Sequence, residues 1–240
     1  LAYMFYGLFR ILPVDIASAA GGFLAQSIGP YLAVSRKAYK HLDMCLPDHT
    51  DHKHIVKAMW SNLGRTIAEY PHLAYIAKNR VEVSGGNHIE NLVNDGKPGI
   101  TFGAHLSNWE VNAATALIQY NLHLHLVYRA PNNPYVDKLL ARARTLNGSL
   151  QAIPKSRSGA RGMIKALKNK EHLGILIDQK YNEGIKADFF GHPAMTSPAF
   201  IELAQKFDAP LVPVQMIRTK GAHFKAIIHP PLSLYDKENK

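Results

Sequence analysis

The chain has 240 residues and carries 28 Lys and Arg against 18 Asp and Glu, a formal net charge of +10 at pH 7. This length suits one large domain whose core is stable without disulfide bonds. The content of 47% hydrophobic residues excludes a disordered chain. The single cysteine, Cys45, excludes an intramolecular disulfide framework and a cysteine-based zinc site.

The first 34 residues are apolar and nearly uncharged. Residues 1–9 hold no charged side chain before Arg10 and Pro13 interrupt the run, which is shorter than the roughly 20 residues that cross a bilayer. Glycines and a proline in 14–34 argue against one straight span there. Two interpretations stay open: the end of a membrane anchor followed by helices on the bilayer, or helices buried in the core. We place the boundary at residue 34, between a membrane-associated helical segment over 1–34 and a main domain over 35–240.

The main domain alternates helices and strands. Apolar residues that recur every four positions, from Ile55 to Ile67, predict a helix over 51–69 that Pro71 ends. This alternation predicts an α/β fold with a mixed, mostly parallel sheet flanked by helices. Further strands are predicted at 81–84, 100–104, 122–128, 173–177, 211–217 and 225–228, with helices at 107–120, 135–146, 159–169 and after Ser197 as N-cap.

Most of the net charge lies in one stretch. Residues 129–170 contain ten basic residues and one acidic residue, Asp137. The stretch is either two helices with solvated basic faces or a docking surface for an anionic partner. A nucleic-acid-binding module is the alternative from another class of protein. Against it, the basic stretch has no interleaved aromatic residues beyond Tyr128 and Tyr135, and it contains no known binding motif.

A histidine and a glutamate follow the strand predicted at 100–104. His105 precedes the predicted helix, and Glu110 stands five positions later. A histidine supported by a carboxylate can act as general base on an acceptor hydroxyl, which gives acyl transfer without an acyl-enzyme. In the alternative, Ser107 and Glu110 form a capping box that only closes the start of the helix.

The segment GAHLSNWE, which contains His105 and Glu110, resembles the H-x4-[D/E] motif of glycerolipid-type acyltransferases. In its Asn-Trp-Glu form it is similar to the late acyltransferases of lipid A biosynthesis, the lauroyl/myristoyl transferase family. Further blocks resemble this family in the same order, and together they cover the chain from about residue 35. They are MWSNLGR at 59–65, YRAPNNP at 128–134, GILIDQK at 174–180, FFGHPAMT at 189–196 and APLVPV at 209–214.

The resemblance implies transfer of a fatty acyl chain from acyl carrier protein to a hydroxyl of a Kdo-bearing, phosphorylated lipid A precursor. It implies an enzyme at the cytoplasmic face of the inner membrane that requires no metal or other cofactor and binds no nucleic acid. A lysophospholipid or glycolipid acyltransferase of the same superfamily is the nearest alternative. The expected catalytic residues are His105 and Glu110, and the expected substrate-binding residues are Asn108, Arg129, Asp178, Gly191 and Thr196.

Overall fold

A computed structural model describes residues 2–234 of the chain, which form two compact units. Unit 1 contains the described residues up to His72 together with Lys220–Ala222. Unit 2 runs from Leu73 to Thr219 and resumes at His223. The boundary predicted at residue 34 therefore falls inside unit 1.

Unit 1 is helical, and its helices α2 and α4 pack with their backbones in contact. A β carbon on Gly21 would overlap Gly64, and one on Gly64 would overlap the carbonyl oxygen of Gly21. Beside this crossing the buried Glu69 carboxylate accepts a 2.6 Å hydrogen bond from the Ser18 hydroxyl, so the buried charge is not left without a donor. The helices are Ala2–Ile11 (α1), Val14–Ile28 (α2), Ser35–Cys45 (α3) and His52–Glu69 (α4).

The helix predicted over 51–69 is confirmed as α4, but its stripe of larger apolar residues is not its buried face. Met59 and Ile67 are 42% and 52% exposed, whereas Val56, Gly64 and Ala68 are buried. Small residues face α2 because only they allow so close an approach. In the described part of the chain, 2–234, no helix has both the length and the apolar composition needed to cross a membrane.

Unit 2 is an α/β unit built on one sheet, which confirms the predicted fold class. Its helices are Leu73–Asn79 (α5), Asn87–Asn94 (α6), Glu110–Tyr120 (α7), Pro134–Arg144 (α8), Arg157–Lys168 (α9) and Ala199–Phe207 (α10). Its strands are Val81–Ser84 (β1), Gly99–Gly103 (β2), Leu124–Tyr128 (β3), Gln151–Pro154 (β4), His172–Leu176 (β5), Ile185–Phe189 (β6), His192–Thr196 (β7), Leu211–Lys220 (β8) and His223–Ile228 (β9).

Over residues 2–234, seven of these strands form the sheet in the order β1-β9-β8-β2-β5-β3-β4. Strand β2 is parallel to β5 and β8, β3 is parallel to β4 and β5, and β1 is parallel to β9. Strands β6 and β7 form a separate antiparallel hairpin. Strands β2, β5 and β3 are therefore neighbours whose carboxyl ends lie at one edge of the sheet, where α/β proteins place their sites.

The two faces of the sheet differ in side-chain size. Ile100, Leu173 and Ile175 belong to a core cluster that also contains residues of α9 and α10. Because side chains alternate along a strand, Thr101 and Gly174 point to the other face. Small residues at the centre of this second face leave room for the cavity described below.

Four elements depart from the sequence expectations. Helix α10 begins at Ala199 with Pro198 rather than Ser197 at the N-cap position. Strand β4 and the β6–β7 hairpin were not predicted, because neither carries a long apolar run. Helix α7 begins at Glu110 rather than at 107, and the predicted capping box is wrong. Ser107 has a left-handed φ of 53°, whereas an N-cap residue needs an extended backbone; Trp109 occupies the N-cap position without a side-chain cap.

Candidate active site

His105 and Asp178 follow neighbouring parallel strands and meet at the sheet edge. His105 lies in the irregular segment between β2 and α7, and Asp178 follows β5. The register pairs Gly103 of β2 with Leu176 of β5, so both residues stand two positions beyond one ladder pair. The sheet itself thus brings together two residues that are distant in sequence.

Asp178 binds His105 by two hydrogen bonds, one to the imidazole ring and one to the backbone. The His105 Nδ1 atom lies 2.7 Å from Asp178 Oδ1, and the His105 backbone N–H donates to Oδ2 at 2.9 Å. Burial raises the pKa of Asp178, but the hydrogen bonds and charge of His105 outweigh it and hold that pKa below its ordinary value. The ionised carboxylate fixes Nδ1 as the donor, and the second ring nitrogen, Nε2, lies on the side of Gln179 at 3.4 Å.

The predicted His105–Glu110 dyad is not confirmed, because Glu110 is engaged elsewhere. Arg144 of α8 binds the Glu110 carboxylate in a bidentate manner, from Nε to Oε2 and from a terminal nitrogen to Oε1, both at 2.7 Å. The Trp109 indole N–H also donates to Oε1, at 2.9 Å. With the Glu110 side chain only 5% exposed, this pair ties the start of α7 to the end of α8.

Arg129 and Lys155 supply positive charge on the same side of the sheet. Arg129 follows β3 directly, and Lys155 follows β4 with its amino group donating to the Leu176 carbonyl at 3.3 Å. Partial desolvation lowers the pKa of Lys155, as does the charge of Arg129, while Asp178 acts in the opposite direction. Two cations and one carboxylate are thus near enough to interact beside His105.

A cavity of about 160 Å³ opens beside His105, between α7 and the face of the sheet that carries Thr101 and Gly174. A β carbon on Gly174 would come within 3.4 Å of two leucine side chains, so this glycine keeps the cavity floor open. One part of the wall is charged or polar and includes Arg129, Tyr128 and Lys155. The part formed by β1, β8 and β9 is apolar, with Val83, Val214, Ala226 and Ile228.

The other predicted substrate-binding residues lie in two places. Asn108 is fully buried at the start of α7, where its side-chain oxygen accepts from the Glu110 backbone N–H at 3.2 Å. Gly191 forms the turn of the β6–β7 hairpin, and Thr196 ends β7. The structure therefore joins His105, Asp178 and Arg129 at one sheet edge and assigns Gly191 and Thr196 to the hairpin.

Sequence reasoning missed Arg144 and Lys155 as individual residues, since both appeared only as members of a basic stretch. Arg144 is not a solvated surface charge: it pairs with Glu110 and lies 5.2 Å from the centre of the Tyr128 ring. Asp178 was predicted to bind substrate, and its pairing with His105 was missed. The available signal was that both residues directly follow predicted buried strands.

Two other histidines, His52 and His172, have structural partners. At the start of α4, His52 contacts Asp43 through Nδ1 at 2.9 Å and the Leu46 carbonyl through Nε2 at 3.1 Å. His172 of β5 contacts the Leu92 carbonyl at 2.9 Å, and burial lowers its pKa. Across residues 2–234, no group of three or more His, Cys, Asp or Glu side chains is arranged to hold a metal ion.

A carboxylate-bound histidine at the strand ends of an α/β sheet, beside a largely apolar cavity, is typical of an enzyme that acts on an apolar substrate. The family model described as bacterial lipid A biosynthesis acyltransferase matches residues 1–240. The chain belongs to this family and is an acyltransferase of lipid A biosynthesis. It is similar to a lipid A biosynthesis acyltransferase of Haemophilus influenzae, 24% identical over 218 residues that cover 85% of this chain and 67% of the relative.

The Glu110–Arg144 pair gives a prediction on stability. Glu110→Ala should lower the free energy of unfolding by about 3–5 kcal/mol, because it leaves the Arg144 guanidinium buried without its carboxylate. Glu110→Ala combined with Arg144→Met should cost clearly less than the two single changes added together, as measured by urea denaturation. Additive losses would contradict a direct pair.

The His105–Asp178 pair gives a prediction on pH. Because the folded-state pKa of Asp178 is lowered, its ionised form stabilises the fold above its unfolded-state pKa of about 3.9. That contribution disappears as pH falls through the lower folded-state value. Melting temperatures of the original chain and of Asp178→Asn should therefore differ most near neutral pH and converge as the pH is lowered below about 4. A constant difference across this range would contradict the assignment.

Proposed function

We propose that the chain transfers a fatty acyl group from acyl carrier protein to a hydroxyl of a Kdo-bearing lipid A precursor, with His105 as general base. The observation that carries the mechanism is the His105 ring: Asp178 occupies Nδ1, and Nε2 faces the Gln179 amide at 3.4 Å, which the acceptor hydroxyl would displace. The family supports the acyl transfer and the lipid A pathway. The identities of the acyl donor, the acceptor and the general base are our proposal.

In the proposed reaction His105 Nε2 removes the proton from the acceptor hydroxyl as its oxygen attacks the donor thioester carbonyl. The tetrahedral intermediate then collapses, the carbon–sulfur bond breaks, and the imidazolium returns its proton to the leaving thiolate. Asp178 stabilises the imidazolium and keeps the ring in one orientation, so it is a positioning residue. Glu110 supports the site through Arg144 and α7, which replaces the expected direct dyad.

Positive charge beside His105 suits two negative groups in this reaction. Arg129 can bind an acceptor phosphate with paired N–H donors. Lys155, whose pKa is lowered by desolvation, can stabilise the oxyanion of the tetrahedral intermediate. Both roles rest on these side chains lining the same cavity as His105.

The apolar part of the cavity is suited to the acyl chain. Val83, Val214, Ala226 and Ile228 line it and offer no hydrogen-bonding side chain. Strand β2, which leads to His105, is separated from β1 by β8 and β9, a distance of roughly 14 Å at about 4.8 Å per strand. An acyl chain lying across these strands would place its carbonyl near His105.

The donor protein and the bilayer each have a matching surface. Exposed basic residues of α8 and α9, among them Lys138, Arg142, Arg161, Lys165 and Lys168, favour docking of an acidic carrier protein. In unit 1, sixteen of the large apolar side chains described there are exposed, from Tyr3 to Ile67. Exposed apolar side chains in this number favour association with a membrane, which we propose is the cytoplasmic face of the inner membrane.

Purified chain, acyl carrier protein loaded with a fatty acid, and a panel of acceptors test this function. Transfer followed by mass spectrometry should occur to the Kdo-bearing lipid A precursor and far less to a lysophospholipid or a mannosylated lipid. His105→Ala should lower turnover by roughly 10²–10⁴-fold in a chain that still folds, with a loss of melting temperature no larger than that of Asp178→Asn.

The matched control is His172→Ala, which removes another partly buried histidine of the same sheet. It should affect stability more than turnover per folded molecule. Preferred transfer to a lysophospholipid would mean that this lipid, rather than the lipid A precursor, is the acceptor. Near-normal turnover of folded His105→Ala would exclude the proposed base.

A further inference from the structure

The β6–β7 hairpin is a separate two-stranded ribbon within unit 2, and it follows the active-site loop directly in the chain. Residues 179–184 join Asp178 to β6, and in the described part of the chain β6 and β7 pair only with each other. A two-stranded hairpin is marginally stable in water by itself. The sequence and the exposure of the hairpin therefore indicate which kind of partner it contacts.

One side of strand β6 is apolar, and its end residues Ile185 and Phe189 are exposed, with Thr196 and His192 of β7 as their ladder partners. Ile185, Ala187 and Phe189 alternate on one side of β6, and Lys186 and Asp188 are on the other. Ile185 is 56% exposed and Phe189 is 60% exposed. Phe190 at the tip is also 60% exposed, and its ring stands edge-on to Phe189 with centroids 4.8 Å apart. Two phenylalanine rings thus contact each other and water rather than the core.

The turn makes Phe190 still more unusual. Phe190 and Gly191 have φ values of 54° and 72°, the positive values that a two-residue type I′ turn requires. Asparagine is preferred at the first of these positions, and a bulky side chain there is strained. The Gly191 backbone N–H donates to Asp188 at 3.0 Å, which helps to hold the turn. The folded chain alone gives no reason for a strained, water-exposed phenylalanine.

The size of the patch decides between a protein and a lipid partner. At 60% exposure, two rings of about 200 Å² each present roughly 240 Å². A stable protein interface needs about 800 Å² on each partner. A bilayer needs no complementary surface, and phenylalanine is among the residues that interfacial segments bury at the boundary between headgroups and acyl chains. The tip residues 189–191 are uncharged, and Lys186 lies behind them within reach of anionic headgroups.

We propose that Phe189 and Phe190 insert into the interfacial region of a lipid bilayer, so that unit 2 has a membrane contact of its own. This contact is independent of the apolar surface of unit 1 and of the chemistry at His105. It would place the loop that carries Asp178 at the bilayer surface, where a lipid acceptor exposes its headgroup. Vesicle binding measures it without donor or acceptor, so its failure is distinguishable from failure of the proposed reaction.

A fluorophore at the tip tests the contact locally. Cys45→Ser with Phe190→Cys, labelled with an environment-sensitive dye, should shift to the blue on vesicles of phosphatidylethanolamine and phosphatidylglycerol. Brominated lipids should quench it. A label at Tyr135, which is 74% exposed on α8, is the matched position for an exposed aromatic residue. If the dye at 190 stays open to aqueous iodide while the chain is bound to vesicles, the proposal is overturned.

Phe190→Asn separates membrane binding from folding, since asparagine suits the turn. It should leave the melting temperature unchanged or raise it, and weaken vesicle binding by about tenfold, as expected for losing roughly half of the ~120 Å² that the ring exposes. Tyr135→Ser should leave vesicle binding unchanged. Two results would overturn the proposal: full vesicle affinity of Phe190→Asn, whatever its melting temperature, and a lipid-free dimer that depends on Phe190 in sedimentation.

Discussion

The active site depends on a hydrogen-bonded pair across two neighbouring parallel strands. Asp178 after β5 binds both the ring and the backbone N–H of His105 after β2. Two contacts to one carboxylate fix the position and the orientation of the imidazole together. Parallel strands make this possible, because their carboxyl ends meet at one edge of the sheet.

Glu110 provides a second carboxylate beside Asp178, and its role is different. Glu110 is buried against Arg144, whose guanidinium also stacks near Tyr128 of β3. It therefore connects α7, α8 and β3 around the cavity, and removing it should disturb the shape of the site. Asp178 carries the electrostatic support of His105, and Glu110 carries the structural support of its surroundings. In this account the two residues of the H-x4-E motif act in one site through different partners.

The sequence predicts what is local. Apolar runs bounded by turn residues locate most of the sheet, including β2 and β5, and the position of His105 before a helix follows from its place after β2. The pairing of His105 with Asp178 was not predictable, because it requires β2 and β5 to be adjacent, and strand order is a long-range property. For the same reason Arg144 looked like one more surface charge.

Exposure misled the sequence analysis in two further places. In α4 two residues of the large apolar stripe, Met59 and Ile67, are exposed, since the close approach to α2 at Gly21 and Gly64 admits only small side chains. The β6–β7 hairpin was missed because it buries little and so lacks the pattern of a core strand. Both exceptions show apolar residues facing outward, and both are explained if the chain works at a lipid surface.

The central claim is that His105 presents an unprotonated Nε2 to the acceptor because Asp178 holds the proton on Nδ1. Nitrogen-15 NMR of the histidine rings, with His105 assigned by comparison with His105→Gln, measures this directly. We expect neutral His105 to carry its proton on Nδ1, and Asp178→Asn to abolish this preference while Glu110→Gln retains it. A proton on Nε2 in the original chain, or a preference lost in Glu110→Gln and kept in Asp178→Asn, would contradict it.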